Sequence, residues 1–308
     1  MIDKTIMDWL LEGDISIQYQ VYRDLLNIDK PELKSRIIKE GWGAKFLSLR
    51  NKDGYWGSGF YLPKWISTHY TLLDIKNLSI PNQNNEINFT INKIIKENKG
   101  IDGGISPVKS RKLSDVCVNG MFLNYACYFG AFENDLKSVI DFILSQKMQD
   151  GGFNCHSNTK GAHHSSLHTT LSVIEGFHEY SKNGYTYRQK ELISAENDSR
   201  EFILEHKLFR SHRTGEIIDK KMLMLSYPSR WRYDILRALD YFQLANVDFD
   251  NRMTDALDVL LRKRRLDNKW PLQAKHNGLI HFDMEKPGKA SRWNTLRALR
   301  VLKHFEYL

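Results

Sequence analysis

A chain of 308 residues, 41% hydrophobic and 27% charged, is long enough to bury a large core and has the composition of an ordinary globular protein. No apolar stretch approaches a bilayer-spanning length, and the acid-interrupted start Met1–Asp14 lacks a signal-peptide layout, so a cytoplasmic protein without a transmembrane segment is expected. A net charge of +8 predicts affinity for anions such as a diphosphate or an anionic lipid surface, while three cysteines, an odd number in a large chain, argue against a disulfide framework.

Repetition organises the chain. Turn segments recur as Asp53-Gly-Tyr-Trp56, Asp102-Gly-Gly-Ile105, Asp150-Gly-Gly-Phe153 and Asp267-Asn-Lys-Trp270. Each is followed by a polar loop and then by an apolar stretch of helical period. The first copy of that stretch is placed near Ile15. Later copies, superimposed on His69, Cys117, His168, Tyr233 and Trp293, bring the number to six. Between them lie amphipathic helices with one wet face, over Glu32–Leu49, Glu86–Lys96, Leu136–Lys147, Glu191–His206 and Met253–Arg264. The basic run Arg262-Lys-Arg-Arg265 closes the last of these and reads as a solvated helix end. With no nucleic-acid-binding motif beside it, no nucleic-acid partner is expected. Pro63, Pro107 and Pro228 each precede a buried helix by a few residues, and irregular tracts are expected over Cys155–Ala162, Arg210–Lys220 and Gln273–Lys289. Strand-like alternation is nearly absent. The pattern predicts an all-α fold of stacked helical hairpins spanning residues 1–308 as one domain, closed into a ring rather than left as an open solenoid.

Chemistry concentrates at two predicted helix starts. An acid, a thiol and an imidazole, Asp115, Cys117 and His168, form a plausible zinc-ligand set in consecutive repeats. Asp115 and Cys117 point apart on a regular helix, but converge if Ser114 or Asp115 is the N-cap and the chain before it is extended. Three such ligands leave the fourth position of zinc open, as catalysis requires; Cys155 as a fourth would make the ion structural. Taken singly, the acid reads equally as a cap and the cysteine as a small core residue. Trp65, Tyr70, Trp231, Tyr233 and Trp293 are expected to line the interior and to suit a greasy or cation-forming substrate.

The repeat, with its Gln146-Lys-Met-Gln-Asp-Gly-Gly-Phe153 turn, resembles the α/α-toroid superfamily of squalene cyclases and protein prenyltransferase β subunits. Lys109, Lys112-Leu113, Asp115-Val-Cys117 and His168-Thr169 stand where the prenyltransferases carry a basic residue, Lys-Leu, Asp-x-Cys and His-Thr. The resemblance implies catalytic zinc on Asp115, Cys117 and His168, an isoprenoid diphosphate held by Lys109 and Lys112, and a substrate-facing role for His69, beside the position of the expected diphosphate-binding histidine. It also implies a separate protein partner, whose identity the chain leaves unknown. No Asp-x-Asp-Asp motif is present, which disfavours triterpene cyclisation. A second resemblance is to lanthionine cyclases, toroids that bind zinc through a cysteine and a Cys-His pair, here Cys117 with Cys155-His156. A non-catalytic toroid that binds a lipid or a protein, with structural zinc or none, is the reading from a different class.

Overall fold

The structure, a computed structural model, describes residues 2–107 and 113–308. Among the described residues it is all-helical, with four isolated bridges and no strand. The chain divides into two compact units. One comprises Met1–Ser48, Asn77–Pro81 and Leu204–Leu308, the other Leu49–Lys76 and Asn82–Ile203.

In the second unit the helices Val116–Tyr128 and Leu167–Lys182 form the centre. Within Val116–Tyr128 only Cys117 and Tyr128 escape full burial, so it is a core helix with no solvent face. Its backbone nearly touches that of Leu167–Lys182. A Cβ on Gly120 would lie 2.6 Å from the Ser172 carbonyl oxygen, and one on Gly176 only 2.5 Å from that of Gly120. The flanking helices behave as their amphipathic pattern dictates. Glu133–Ser145 buries Leu136, Val139, Ile140, Phe142 and Ile143, and Asn85–Asn98 buries Ile87, Ile91 and Ile94 behind an Asn84 side chain that caps it.

The four turns share one construction. Gly54, Gly103, Gly151 and Asn268 occupy equivalent positions with φ of 90°, 87°, 91° and 60°, a region open to glycine and tolerated by asparagine. Each turn then delivers a fully buried residue to a side chain in the first turn of the next inner helix. The Trp56 amide donates to Thr68 Oγ1 at 2.8 Å, Ile105 to Asn119 Oδ1 at 2.6 Å, Phe153 to Thr170 Oγ1 at 3.0 Å and Trp270 to Thr295 Oγ1 at 3.0 Å. In three of them the same side chain also donates back, to the carbonyls of Trp56, Ile105 and Phe153.

This construction corrects the repeat register in one place. Cys117, His168 and Trp293 each lie two residues before the anchoring side chain, whereas His69 lies one residue after Thr68. A 3-10 turn, Lys64–Ile66, takes up the difference, so the superposition on His69 is displaced by about one helical turn. The segment predicted as one helix over Glu32–Leu49 is two, Pro31–Arg36 and Gly41–Ser48. Asp14 causes the break. Its carboxylate accepts from the amides of Ser16 and Trp42, and it occupies the space a Cβ at Gly41 would fill. A helix over Lys4–Leu11, capped by Asp3, was not predicted.

In the first unit, the buried Asp240 on helix Ile235–Leu244 receives Arg297 at 3.0 Å and Arg300 at 2.5 Å from helix Arg292–His304. Arg300 also reaches Asp24, in the π-helical turn Val21–Leu25, at 3.0 Å. Burial alone would raise the Asp240 carboxyl, but the two guanidinium groups hold it below the usual range. Its stabilisation is therefore complete above the unfolded-chain value of about 3.9 and is lost as pH falls through the lower folded value. Asp234 and Glu285, both raised by burial, act in the opposite sense.

Two measurements follow. In urea at neutral pH, Gly176→Ala loses about 1–3 kcal/mol, because the obstructing atom is backbone and cannot swing away. Asp240→Asn costs about 3–5 kcal/mol at pH 7 by taking the carboxylate from the buried Arg297 and leaving Arg300 with the Asp24 carboxylate alone, and the gap from the parent protein narrows below about pH 4.

Candidate functional site

In the second unit, paired carboxylate clamps set the approach to the two central helices. Asp102 accepts from the Ser114 amide at 2.7 Å and its hydroxyl at 2.8 Å, and Asp150 accepts from the Ser165 amide at 2.8 Å and from its hydroxyl. Asp115, one of the two caps the sequence left open beside Ser114, then becomes the N-cap residue of Val116–Tyr128, although its side chain makes no capping hydrogen bond. His168 is the second residue of helix Leu167–Lys182 and is half-buried.

The tract Cys155–Ala162 is not wholly irregular. A single helical turn, Ser157–Lys160, folds back toward the preceding repeat, where Asn158 Nδ2 donates to Asp102 at 3.0 Å and to the Ser114 carbonyl at 3.2 Å. The Cys155 amide donates to Thr169 Oγ1 at 3.2 Å, next to His168. These contacts bring Cys155 to Cys117. The two are joined as a disulfide, with Cα atoms 5.7 Å apart, and the Cys117 amide donates to Cys155 Sγ at 3.1 Å. The odd cysteine count did not foretell this pair. The remaining thiol, Cys127, is buried, and burial drives it well above the usual thiol range.

A zinc ion needs three or more protein donors around one point. Among the described residues no group of three or more His, Cys, Asp or Glu side chains is so arranged. The donor chemistry at the two helix starts suits zinc: two thiols, an imidazole and a carboxylate. The disulfide does not, because a sulfur–sulfur bond removes both thiolates. Zinc and the bonded pair are alternatives. Lys109 and Lys112 lie outside the described residues.

The expected lining residues fall into two groups. In the second unit Trp65 packs edge-on to Tyr70 at 4.9 Å. His69 is completely buried among Phe60, Tyr61, Tyr70 and Tyr125, its Nδ1 lying 3.2 Å from the Tyr125 hydroxyl. Burial pulls its imidazole down to about 3, which keeps it neutral at physiological pH. In the first unit Tyr233 is a core residue whose hydroxyl donates to the Leu208 carbonyl at 2.5 Å, and Trp231 is half-buried beneath the Arg232 guanidinium. Trp293 packs on Tyr227 at 4.6 Å between ring centres. Beside it opens a small pocket, lined in part by Phe46, Tyr227, Arg230, Phe282 and Glu285. Glu285 accepts from the Ser291 hydroxyl and from the Arg292 amide at 2.7 Å, so it caps the last helix.

Sequence reasoning missed the Asp102–Ser114 and Asp150–Ser165 clamps. The signal was present, since the aspartate of each Asp-Gly-Gly turn is followed 12 or 15 residues later by the serine that precedes a buried helix. No family model matches the chain, and no curated protein is similar to it in sequence.

Thr170→Val is expected to lower stability by about 1–3 kcal/mol by leaving the buried Phe153 amide without its acceptor. Chemical denaturation of the variant beside the parent protein measures it, and an unchanged midpoint would remove the structural importance given to this contact.

Proposed function

We propose that the chain is a zinc-dependent, prenyltransferase-like enzyme of the α/α-toroid type, acting in its reduced form on an isoprenoid diphosphate or a similar hydrophobic anionic substrate. The observation that carries this reading is the placement of Asp115 and Cys117 at the start of one core helix and of His168 at the start of the helix packed directly against it. In the reduced chain the Cys117 thiolate, with Asp115 and His168, would hold the ion and leave its fourth position open for the substrate, whereas Cys155 as a fourth ligand would close it. Zinc bound there supplies a positive charge that keeps a substrate thiol deprotonated at neutral pH. The chain's own contribution is to orient the reactants. The positive end of a helix dipole would favour a departing anion, Lys109 and Lys112 would pair with a diphosphate, and the aromatic side chains suit a greasy chain.

A second reading has one specific observation in its favour. The partner of Cys117 is Cys155, which precedes His156, and this is the combination by which the chain resembles lanthionine cyclases. There the thiol adds to an activated double bond and no diphosphate departs.

Metal analysis of the reduced chain tests both. About one zinc per chain is expected, lost in Cys117→Ser and retained in Cys155→Ser; loss in both marks a closed structural site or, with loss in His156→Ala, the thiol-addition reading. Loss in His168→Ala with retention in His156→Ala favours the prenyltransferase-like reading; the reverse favours thiol addition. A reduced parent chain that takes up no zinc overturns both and leaves a non-catalytic lipid- or protein-binding toroid. Changing Lys109 and Lys112 to alanine is expected to weaken farnesyl diphosphate binding about tenfold or more by titration calorimetry.

A further inference from the structure

We infer that the Cys117–Cys155 disulfide is a site of reversible exchange with a low-molecular-weight thiol, in which the incoming sulfur bonds to Cys117 and Cys155 departs. Both cysteines are half-buried, whereas Cys127 is fully enclosed. The polarity follows from one hydrogen bond. The amide of Cys117 is the second of a 13-residue helix, among the first four amides that have no partner within the helix itself. It points at Cys155 Sγ, 3.1 Å away. Charge that develops on Cys155 as the sulfur–sulfur bond breaks therefore meets a donor and the positive end of a helix dipole already in place. The same amide, aimed at Cys155, is not available to the sulfur of Cys117.

The step balances. A thiolate attacks Cys117 Sγ, a mixed disulfide forms, the Cys117–Cys155 bond breaks and its electron pair stays on Cys155 Sγ. A second thiolate then releases Cys117, so two electrons pass from two small thiols to the pair and the small disulfide leaves. The reverse reaction needs only that small disulfide. Re-closure asks little of the backbone, because the Cys155 loop is tied to Thr169 and, through Asn158, to Asp102 and Ser114 by bonds that do not involve sulfur. The Cα separation of 5.7 Å also lies within the normal disulfide range. Exchange itself does not depend on zinc. Its consequence for the metal rests on the function proposed above: only the reduced pair offers Cys117 as a thiolate, so oxidation and zinc binding exclude each other.

The test equilibrates the full chain, stripped of metal by a chelator, with glutathione and glutathione disulfide in varied ratio, quenches with acid and maps the peptides by mass spectrometry. The pair is expected to move between dithiol and disulfide across the series. Trapped glutathione is expected on Cys117 in several-fold excess over Cys155, a preference that disappears in urea. Equal labelling, labelling that favours Cys155, or a pair fixed in one state across all ratios overturns the inference. Zinc uptake by the reduced chain, measured in parallel, separates the two ideas. Exchange without zinc uptake removes the metal and keeps the exchange; zinc uptake by cysteines that never pair does the opposite.

Discussion

The hydrogen bond from the residue that leaves each Asp-Gly or Asp-Asn turn to a threonine or asparagine of the next buried helix, reciprocal in the three Asp-Gly turns, is the contact on which the rest depends. A tight turn exposes backbone amides and carbonyls, and here those groups are buried with Trp56, Ile105, Phe153 and Trp270. An unsatisfied buried amide costs about 1–3 kcal/mol, so a single side chain able both to accept and to donate answers two problems with one group. It also fixes where the inner helix begins. The aspartate of the turn clamps the serine just before the helix at Ser114 and Ser165, which leaves the first-turn side chains of both helices held from two directions.

Placement of the sulfurs is a consequence of that constraint together with the contact at Gly120 and Gly176. The close approach of the two central helices sets the separation of their starts, and the clamped loops set their level along the axis. Cys155 reaches Cys117 because the chain between Phe153 and Ser165 is anchored at both ends and is long enough to fold one helical turn back over the earlier repeat.

Much of this was legible in the sequence, for identifiable reasons. A helix such as Glu133–Ser145 advertises itself through Val139, Ile140 and Ile143, whose spacing has one physical meaning in a chain without strand alternation. A helix start at Ser114 or Asp115 follows from two capping residues in front of an apolar run, and the choice of Asp115 is made by the fold. What escaped depends on contacts distant in sequence. Nothing near Gly41 states that Asp14 will sit against it and divide a helix, and nothing near His69 states that a 3-10 turn displaces it relative to Cys117 and His168. The cysteine pairing was hidden for the same reason. Two of three cysteines pair only because a loop doubles back, and spacing does not encode that.

The burial of Cys127 gives the molecule an internal distinction between two kinds of change. Reduction of the folded chain frees the thiols of Cys117 and Cys155 and leaves Cys127 sealed in the core. Loss of packing uncovers Cys127 whether or not the other two are joined. A single cysteine sequestered in the core thus makes the thiol titre of an intact chain a record of its redox state, and a later rise in that titre a record of its unfolding.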